Sequence, residues 1–322
     1  MKCLCCGKEI LNKQEMLSKW HDKCIKKFFG LEILPSIEIN KENLKELVIK
    51  YTNMGITVPG VQKKLSLFLL NDDNPRLTLK DYPIGYILKP QTEEYELLPE
   101  AEYLVMSMAR EIHIKTVPFS LIELKSNGNE LAYITKRIDR VNVSDKSLKL
   151  AMEDFCQLEN RLTVDKYKGS YERCAAIIKK YSSSEGLDLS EFFFRIVFSF
   201  ITGNSDMHLK NFSLIETGYN TGEYRLSEAY DLLPVNIILT EDKEELALTL
   251  NGKKRNLRRN DFIKFGETIG LSRKSIEKMI EKIISYKDKF INLCDESYLT
   301  DKMKKQFKEL LNDRIERLSK NI

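Results

Sequence analysis

The stretch "ITGNSDMHLKNFSL", residues 201 to 214, sets Asn204, Asp206, His208, Lys210 and Asn211 within eight positions, directly after the most apolar segment of the chain, "SEFFFRIVFSFI" (190–201). An apolar run of that length reads as a helix buried on nearly every side. Gly203 then frees the backbone to turn into a polar loop. Rigid support followed by a short polar loop is how reactive side chains are held in place.

Within the loop, Asp206-x-His208-x-x-Asn211 puts a carboxylate five residues before an amide, and "YDLLP" (230–234) supplies a second carboxylate, Asp231, twenty residues past the asparagine. Phosphoryl transfer needs such a set. One carboxylate, Asp206, accepts a hydroxyl proton and aligns the nucleophile, while Asn211 and Asp231 offer hard oxygen ligands to a Mg2+ that bridges nucleotide phosphates. His208 is placed to orient the loop by hydrogen bonding. Lys89, at the end of the strand-like run "YILKP", has the position expected of a lysine that contacts the α/β-phosphates of ATP. A glutamate on the following segment would hold that lysine, and both Glu102 and Glu100 are near enough in sequence to do so.

Outward from these residues the texture changes twice. Residues 36–53, "SIEINKENLKELVIKYTN", carry apolar residues at helical spacing. Residues 55–91 then alternate, with Leu65, Leu67 and Leu69 on one face and a turn at "NDDNP", and read as a meander of antiparallel strands. "LLPEAEYLVMSMAREIH" (97–113) returns to helical spacing, and "VPFSLIELKSNGNELAYITKRIDR" (117–140) reads as two strands joined by a hairpin at "SNGN". Beyond about residue 150 the pattern is mainly helical, with strand-like pieces at "YRLSEAYDLLP" and "ELALTL". The fold class is therefore α+β: a two-lobed, protein-kinase-like arrangement with a small sheet-rich N-lobe and a larger, mainly helical C-lobe. The expected divisions are 1–35, a cysteine-rich segment; 36–150, the N-lobe; and 151–322, the C-lobe.

Composition narrows the function classes. With 52 basic and 48 acidic residues the net charge is only +4, so direct DNA binding is not expected of the chain as a whole. The one dense basic run, "GKKRNLRR" (252–259), reads either as a solvated loop or as a contact for RNA or an acidic partner. "FFFRIVFSFI" is interrupted by Arg195 and is too short to span a bilayer, and the N-terminus lacks an apolar leader, so a cytoplasmic location without membrane contact is expected. Seven cysteines, four of them in the first 24 residues, read as thiols or metal ligands rather than a disulfide framework. Cys3-x-x-Cys6 followed by His21-x-x-Cys24 has the spacing of two knuckles converging on one structural Zn2+, with Cys5 left over; a chance cluster of thiols is the alternative.

The strings "VPGVQKKLSL", "YILKP", "ITKRIDR", "GNSDMHLKNFSL" and "YDLLP", spread over residues 50 to 235, resemble the HipA-type serine/threonine kinases, toxins of bacterial toxin–antitoxin systems. That resemblance implies ATP and Mg2+ as cofactors, Asp206 as the catalytic aspartate, Asn211 and Asp231 as metal ligands, and Lys89 as the ATP-contacting lysine. It also implies a phosphate-binding loop at Gly60, Val61 and Gln62. Only about 50 residues precede that loop, so the chain looks like the shorter HipT branch. There a HipS-like small antitoxin stands in for a missing subdomain alongside a HipB-like DNA-binding antitoxin, and the substrate is a protein of translation such as a tRNA-bound aminoacyl-tRNA synthetase. In that branch a Ser-x-Ser element before the loop glycine is autophosphorylated. Here the residues are Thr57-Val58-Pro59-Gly60, which leaves Thr57 as the hydroxyl that could be modified, since proline has none. The D-x-H-x-x-N spacing is also similar to that of phosphatidylinositol-kinase-like enzymes. Two further alternatives are a catalytically silent binding module and a zinc-dependent nucleic-acid-binding protein.

Overall fold

Alternation of Leu65, Leu67 and Leu69 is the local signal for an antiparallel sheet, and the sheet is where those residues lie. In a computed structural model of the chain, which describes residues 1–37, 64–78, 85–124, 130–143 and 146–320, six strands form one sheet. They are β1 (Ser36–Ile37), β2 (Leu65–Leu70), β3 (Arg76–Thr78), β4 (Gly85–Lys89), β5 (Phe119–Leu124) and β6 (Glu130–Lys136), in the order β1-β3-β2-β4-β6-β5. Every neighbour pair is antiparallel except β1 with β3. Leu65, Leu67, Leu77, Leu88, Leu121 and Ile134 are buried along these strands.

The helical reading of 36–53 fails at its start: Ser36 and Ile37 form β1, paired in parallel with Arg76 and Leu77. The rest of that span, and the "SNGN" turn, lie outside the described residues. The helix read at 97–113 forms over Leu98–Glu111.

The chain divides into two compact units, residues 1–103 with 117–140, and 104–116 with 141–322. The sheet belongs to the first. So does the N-terminal segment, in which two short helices, Lys13–Ser18 and Asp22–Phe29, precede β1. Phe28 and Phe29 of the second helix lie against Tyr86 of β4, with ring centroids 5.8 and 5.3 Å apart.

The second unit is mainly helical. β7 (Arg140–Val143) and β8 (Lys146–Lys149) pair with each other, and β9 (Met152–Asp154), β10 (Ser213–Glu216) and β11 (Tyr224–Leu226) make a small sheet in the order β11-β10-β9. Around it stand the helices Tyr171–Tyr181 and Glu185–Ile201, then Arg259–Thr268, Arg273–Ser285, Lys287–Asp295 and Asp301–Ser319. The Glu185–Ile201 helix is the apolar run of the sequence, buried continuously from Phe192 to Ile201. Its one charge in that run, Arg195, is neutralised by Glu191 at 2.9 Å and donates to the Ser227 carbonyl at 2.8 Å. Phe192 sits at the centre of an aromatic cluster, with ring centroids 4.9 Å from Phe212, 6.2 Å from Tyr171 and 6.4 Å from both Phe155 and Phe265.

"ELALTL" is not a strand. Leu246, Ala247 and Leu248 are buried, but their segment is tied down by single long-range bonds instead of a ladder: Glu245 N–H to Lys254 O, Tyr171 N–H to Thr249 O, and Leu257 N–H to the Glu245 carboxylate, at 2.8–3.0 Å. Apolar burial without a neighbouring strand produced the same alternation a strand would.

Truncating Phe192 to Ala removes the ring against which Phe155, Tyr171, Phe212 and Phe265 converge. We expect a loss of about 3–5 kcal/mol, read as a lowered denaturant midpoint with unchanged slope.

Candidate active site

The Glu185–Ile201 helix ends at Thr202, whose hydroxyl donates back to the Phe198 carbonyl at 2.9 Å. Gly203 follows with φ +68°, a conformation open to glycine and strained for other residues, and a Cβ there would meet Leu310 at 3.0 Å and Asn236 at 3.3 Å. The chain therefore turns sharply, and Asn204 N–H returns to the Ser199 carbonyl at 2.9 Å. From there the loop organises itself through its own backbone. The buried Asn204 side chain accepts from Asp206 N–H at 3.2 Å, His208 N–H donates to the Asp206 carbonyl at 2.8 Å, and Asn211 N–H donates to the His208 carbonyl at 2.9 Å.

Asn211 is buried, and its Nδ2 donates to the Asp206 carbonyl at 2.8 Å. That bond settles which end of the amide is which, and leaves Oδ1 on the opposite side. Asp206 is more exposed, with 38% of its side chain accessible. Its Oδ1 accepts a short hydrogen bond from the Tyr167 hydroxyl, and the Tyr167 ring stands edge-on to His208 at 5.0 Å.

Asp231 reaches this loop through its neighbour. The Tyr230 hydroxyl donates to the Lys210 carbonyl at 3.1 Å, so the Ser213 hydroxyl, 2.5 Å away, is the donor to Tyr230. Asp231 itself has φ +55°, an uncommon conformation for a non-glycine residue, which turns the chain immediately after that anchor. Lys210, by contrast, is committed to Asp154 at 2.6 Å.

His208 is buried, and burial pushes its imidazole down to about 4; the Lys166 charge acts in the same direction, and the Asp206 and Asp231 carboxylates oppose it. The ring is thus neutral at pH 7. Its Nε2 stands 3.9 Å from Asp206 Oδ1, too long for a hydrogen bond, and its Nδ1 has no hydrogen-bond partner among the described residues. Loop orientation comes from the His208 main chain, not from its ring.

In the sheet-bearing unit, Lys89 closes β4 and its ammonium lies 2.5 Å from Glu102 Oε1, with 3% and 0% of the two side chains exposed. The Tyr133 ring lies 5.2 Å from the same ammonium. The choice left open between Glu100 and Glu102 is settled for Glu102. Glu100 is also buried, and desolvation, with repulsion from Glu130, pushes its carboxyl up to about 7. Thr57, Gly60, Val61 and Gln62 lie outside the described residues.

Cys3, Cys6, His21 and Cys24 come together, with one side-chain ligand atom from each lying within 4.8 Å of the others. The basic run does not form an unopposed patch: Lys253 pairs with Asp261 at 2.7 Å, Lys254 with Glu244 at 3.0 Å, and the buried Arg259 with Glu281 at 2.7 Å. No helix among the described residues is long and apolar enough to cross a membrane.

The sequence profile of the HipA-like C-terminal domain family matches residues 56–289. The chain belongs to that family. A Haemophilus influenzae relative bearing the provisional name of kinase is 28% identical over 273 residues, 76% of this chain and 76% of the relative. A Sinorhizobium fredii relative of similar provisional name is 31% identical over 238 residues, which is 69% of this chain and 56% of the relative. Among solved structures, the fold is similar to HipA of Shewanella oneidensis, determined with HipB and operator DNA, at a TM-score of 0.67 and 19% identity, covering 86% of this chain and 73% of that one. It is also similar to the Helicobacter pylori proinflammatory kinase CtkA, at a TM-score of 0.52 and 17% identity, covering 77% of this chain and 90% of that one. The α+β, kinase-like fold read from the sequence is thereby established.

Sequence reasoning missed Tyr167, which lies 39 residues before Asp206 in an irregular segment with no motif of its own, and Tyr230, whose anchoring role was hidden in "YDLLP". It also could not foresee Glu100 as a second buried acid. An unfolded glutamate ionises above its ordinary 4.5, whereas folded Glu100 keeps its proton until about 7, so the unfolded chain binds fewer protons and stability falls as pH rises through that window. We expect Glu100→Gln to match the wild type at pH 4.5 and to be more stable at pH 8, by at most about 3 kcal/mol in chemical denaturation.

Proposed function

We propose that the chain is an ATP- and Mg2+-dependent serine/threonine protein kinase that acts as the toxin of a bacterial toxin–antitoxin system. The observation that carries the reading is the Asn211 amide locked by the Asp206 carbonyl, in a loop to which Tyr230 ties the Asp231 segment. Membership of the HipA-like family and the provisional kinase names of its relatives support the same reading.

In this account Asp206 takes the proton of the acceptor hydroxyl as that oxygen bonds to the γ-phosphorus, and the bond from that phosphorus to the β–γ bridging oxygen breaks, leaving ADP. Asn211 Oδ1 and the Asp231 carboxylate would hold the Mg2+, whose chemistry is to neutralise charge developing on the phosphates. Lys89, oriented by Glu102, contacts the α/β-phosphates. His208, neutral and buried, shapes the loop through its main chain and carries no proton in the reaction. The Tyr167 hydroxyl occupies Asp206 when no acceptor is present, and an incoming hydroxyl takes its place.

Gly60, Val61 and Gln62 would supply the phosphate-binding loop, and Thr57 the autophosphorylation site. The Shewanella structure, which holds HipA with HipB and DNA, supports a HipB-like DNA-binding partner here. A HipS-like small antitoxin and a protein substrate in translation complete the proposal. The pairing of Lys253, Lys254 and Arg259 with acids removes most of the net charge that a tRNA contact at 252–259 would use.

Incubated with radiolabelled ATP, Mg2+ and a bacterial lysate, the full chain should label protein on serine or threonine. Asp206→Gln should lower the rate by about 10^2 to 10^4, the usual worth of a general base. Equal labelling by wild type and Asp206→Gln, or none by the folded wild type, would overturn the assignment.

A further inference from the structure

The N-terminal segment is absorbed by neither the proposed phosphoryl transfer nor the family match, which begins at residue 56. Yet it is built with more care than a loose extension requires. Lys2 and Glu9 bridge antiparallel, and within the turn they close, Cys3 N–H donates to Lys8 O at 2.8 Å and Gly7 N–H to Cys3 O at 2.9 Å. Gly7 takes φ +74°, which lets the turn fold tightly behind Cys6. Cys3 and Cys6 are thereby presented from one knuckle. The second pair comes from a helix start: His21 precedes the Asp22–Phe29 helix, its carbonyl accepting from Cys24 N–H at 2.8 Å and Ile25 N–H at 3.1 Å.

Three further details point to a metal and not to a cluster of thiols. His21 Nε2 lies 3.1 Å from the Glu9 carbonyl, an atom that can only accept, so Nε2 carries the proton and Nδ1 keeps its lone pair. Nδ1 is the nitrogen that faces the cysteines, 3.4 Å from Cys6 Sγ. A carbonyl that fixes the far nitrogen of a histidine is the usual outer support of a metal-ligating imidazole. In addition, His21 N–H points at Cys3 Sγ at 3.4 Å, the bond that offsets negative charge on a metal-bound thiolate. All four ligand atoms fall within 4.8 Å of one another, so closing the widest gaps by about 1 Å brings them to the roughly 3.8 Å edges of a tetrahedron with bonds of about 2.3 Å to sulfur and about 2.1 Å to nitrogen.

We propose that Cys3, Cys6, His21 through Nδ1, and Cys24 bind one Zn2+ in a closed structural site. Three thiols give up their protons on binding, and the imidazole enters neutral. With four protein ligands no coordination position is left for a substrate, so the role is mechanical.

What the metal would hold is visible in the contacts of its two knuckles. The Leu4 carbonyl, inside the first knuckle, accepts from Leu121 N–H at 3.1 Å and from the Ser120 hydroxyl at 3.0 Å, both on β5, the strand at one end of the sheet. The Cys5 carbonyl accepts from the Tyr103 hydroxyl at 3.2 Å, one residue from Glu102. The second knuckle leads into Phe28 and Phe29, which pack on Tyr86 of β4, three residues before Lys89. The zinc cap thus covers a sheet edge that would otherwise offer unpaired backbone groups, and braces both elements that carry the Lys89–Glu102 pair.

The test is metal analysis of the untagged full chain, purified under reducing conditions from zinc-replete cells. One zinc per chain is expected, kept by Cys5→Ser and reduced at least about tenfold in Cys24→Ser and His21→Ala. As a measurement independent of how those variants fold, the wild type is also exchanged into Co2+, where tetrahedral thiolate ligation has its own absorption bands. A folded wild type holding well under one equivalent of metal, a cobalt spectrum without thiolate bands, or equal zinc loss in Cys5→Ser would overturn the proposal. These readouts do not depend on kinase activity.

Discussion

The Tyr230 hydroxyl, donating to the Lys210 carbonyl and accepting from Ser213, is the constraint on which the candidate site depends. It ties the segment that bears Asp231 to the loop that bears Asp206 and Asn211, twenty residues away in sequence. Burial pushes the Tyr230 phenol above its usual range, so it remains a protonated donor across the physiological span. The residue next to Asp231 is thereby fixed against a loop that its own backbone bonds and the Asn211 amide hold in shape.

The loop in turn depends on what lies beneath it. The Glu185–Ile201 helix is buried along its last ten residues and is wrapped by aromatic rings, so the point at which Gly203 breaks away is fixed by packing. Stability and chemistry meet at that position. A side chain at Gly203 would both strain the backbone and press on Leu310 and Asn236, moving the residues that follow. The sheet-bearing unit shows the same economy. Its buried Lys89–Glu102 pair would be costly to break, since either charge left alone would be desolvated without a partner.

How far the sequence discloses this varies with the reach of the interactions. Asp206, His208 and Asn211 are legible because the loop is local and its spacing is set within eight residues. The strands β2 and β4 are legible because period-two alternation survives wherever one face is buried. Glu100 and Glu102 were indistinguishable in sequence, although residues two apart on a helix point about 200° away from each other, so only one can meet Lys89. "ELALTL" misled because burial alone can imitate a strand when the backbone is held by isolated hydrogen bonds instead of a ladder. Tyr167 carried no local signal at all. The cysteine spacing was legible, but the histidine tautomer that makes it a credible metal site depends on the Glu9 carbonyl, which only the folded chain reveals.

The central claim is that Asn211 and Asp231 present oxygen atoms to a divalent cation that accompanies a nucleotide. Calorimetric titration of ATP into the full chain, with Mg2+ and then with the metal chelated, tests it most directly. The account predicts that Mg2+ tightens ATP binding in the wild type, and that Asp231→Asn and Asn211→Ala each reduce that enhancement by at least about tenfold while unfolding like the wild type. Metal-dependent affinity that is unchanged in both variants would contradict it.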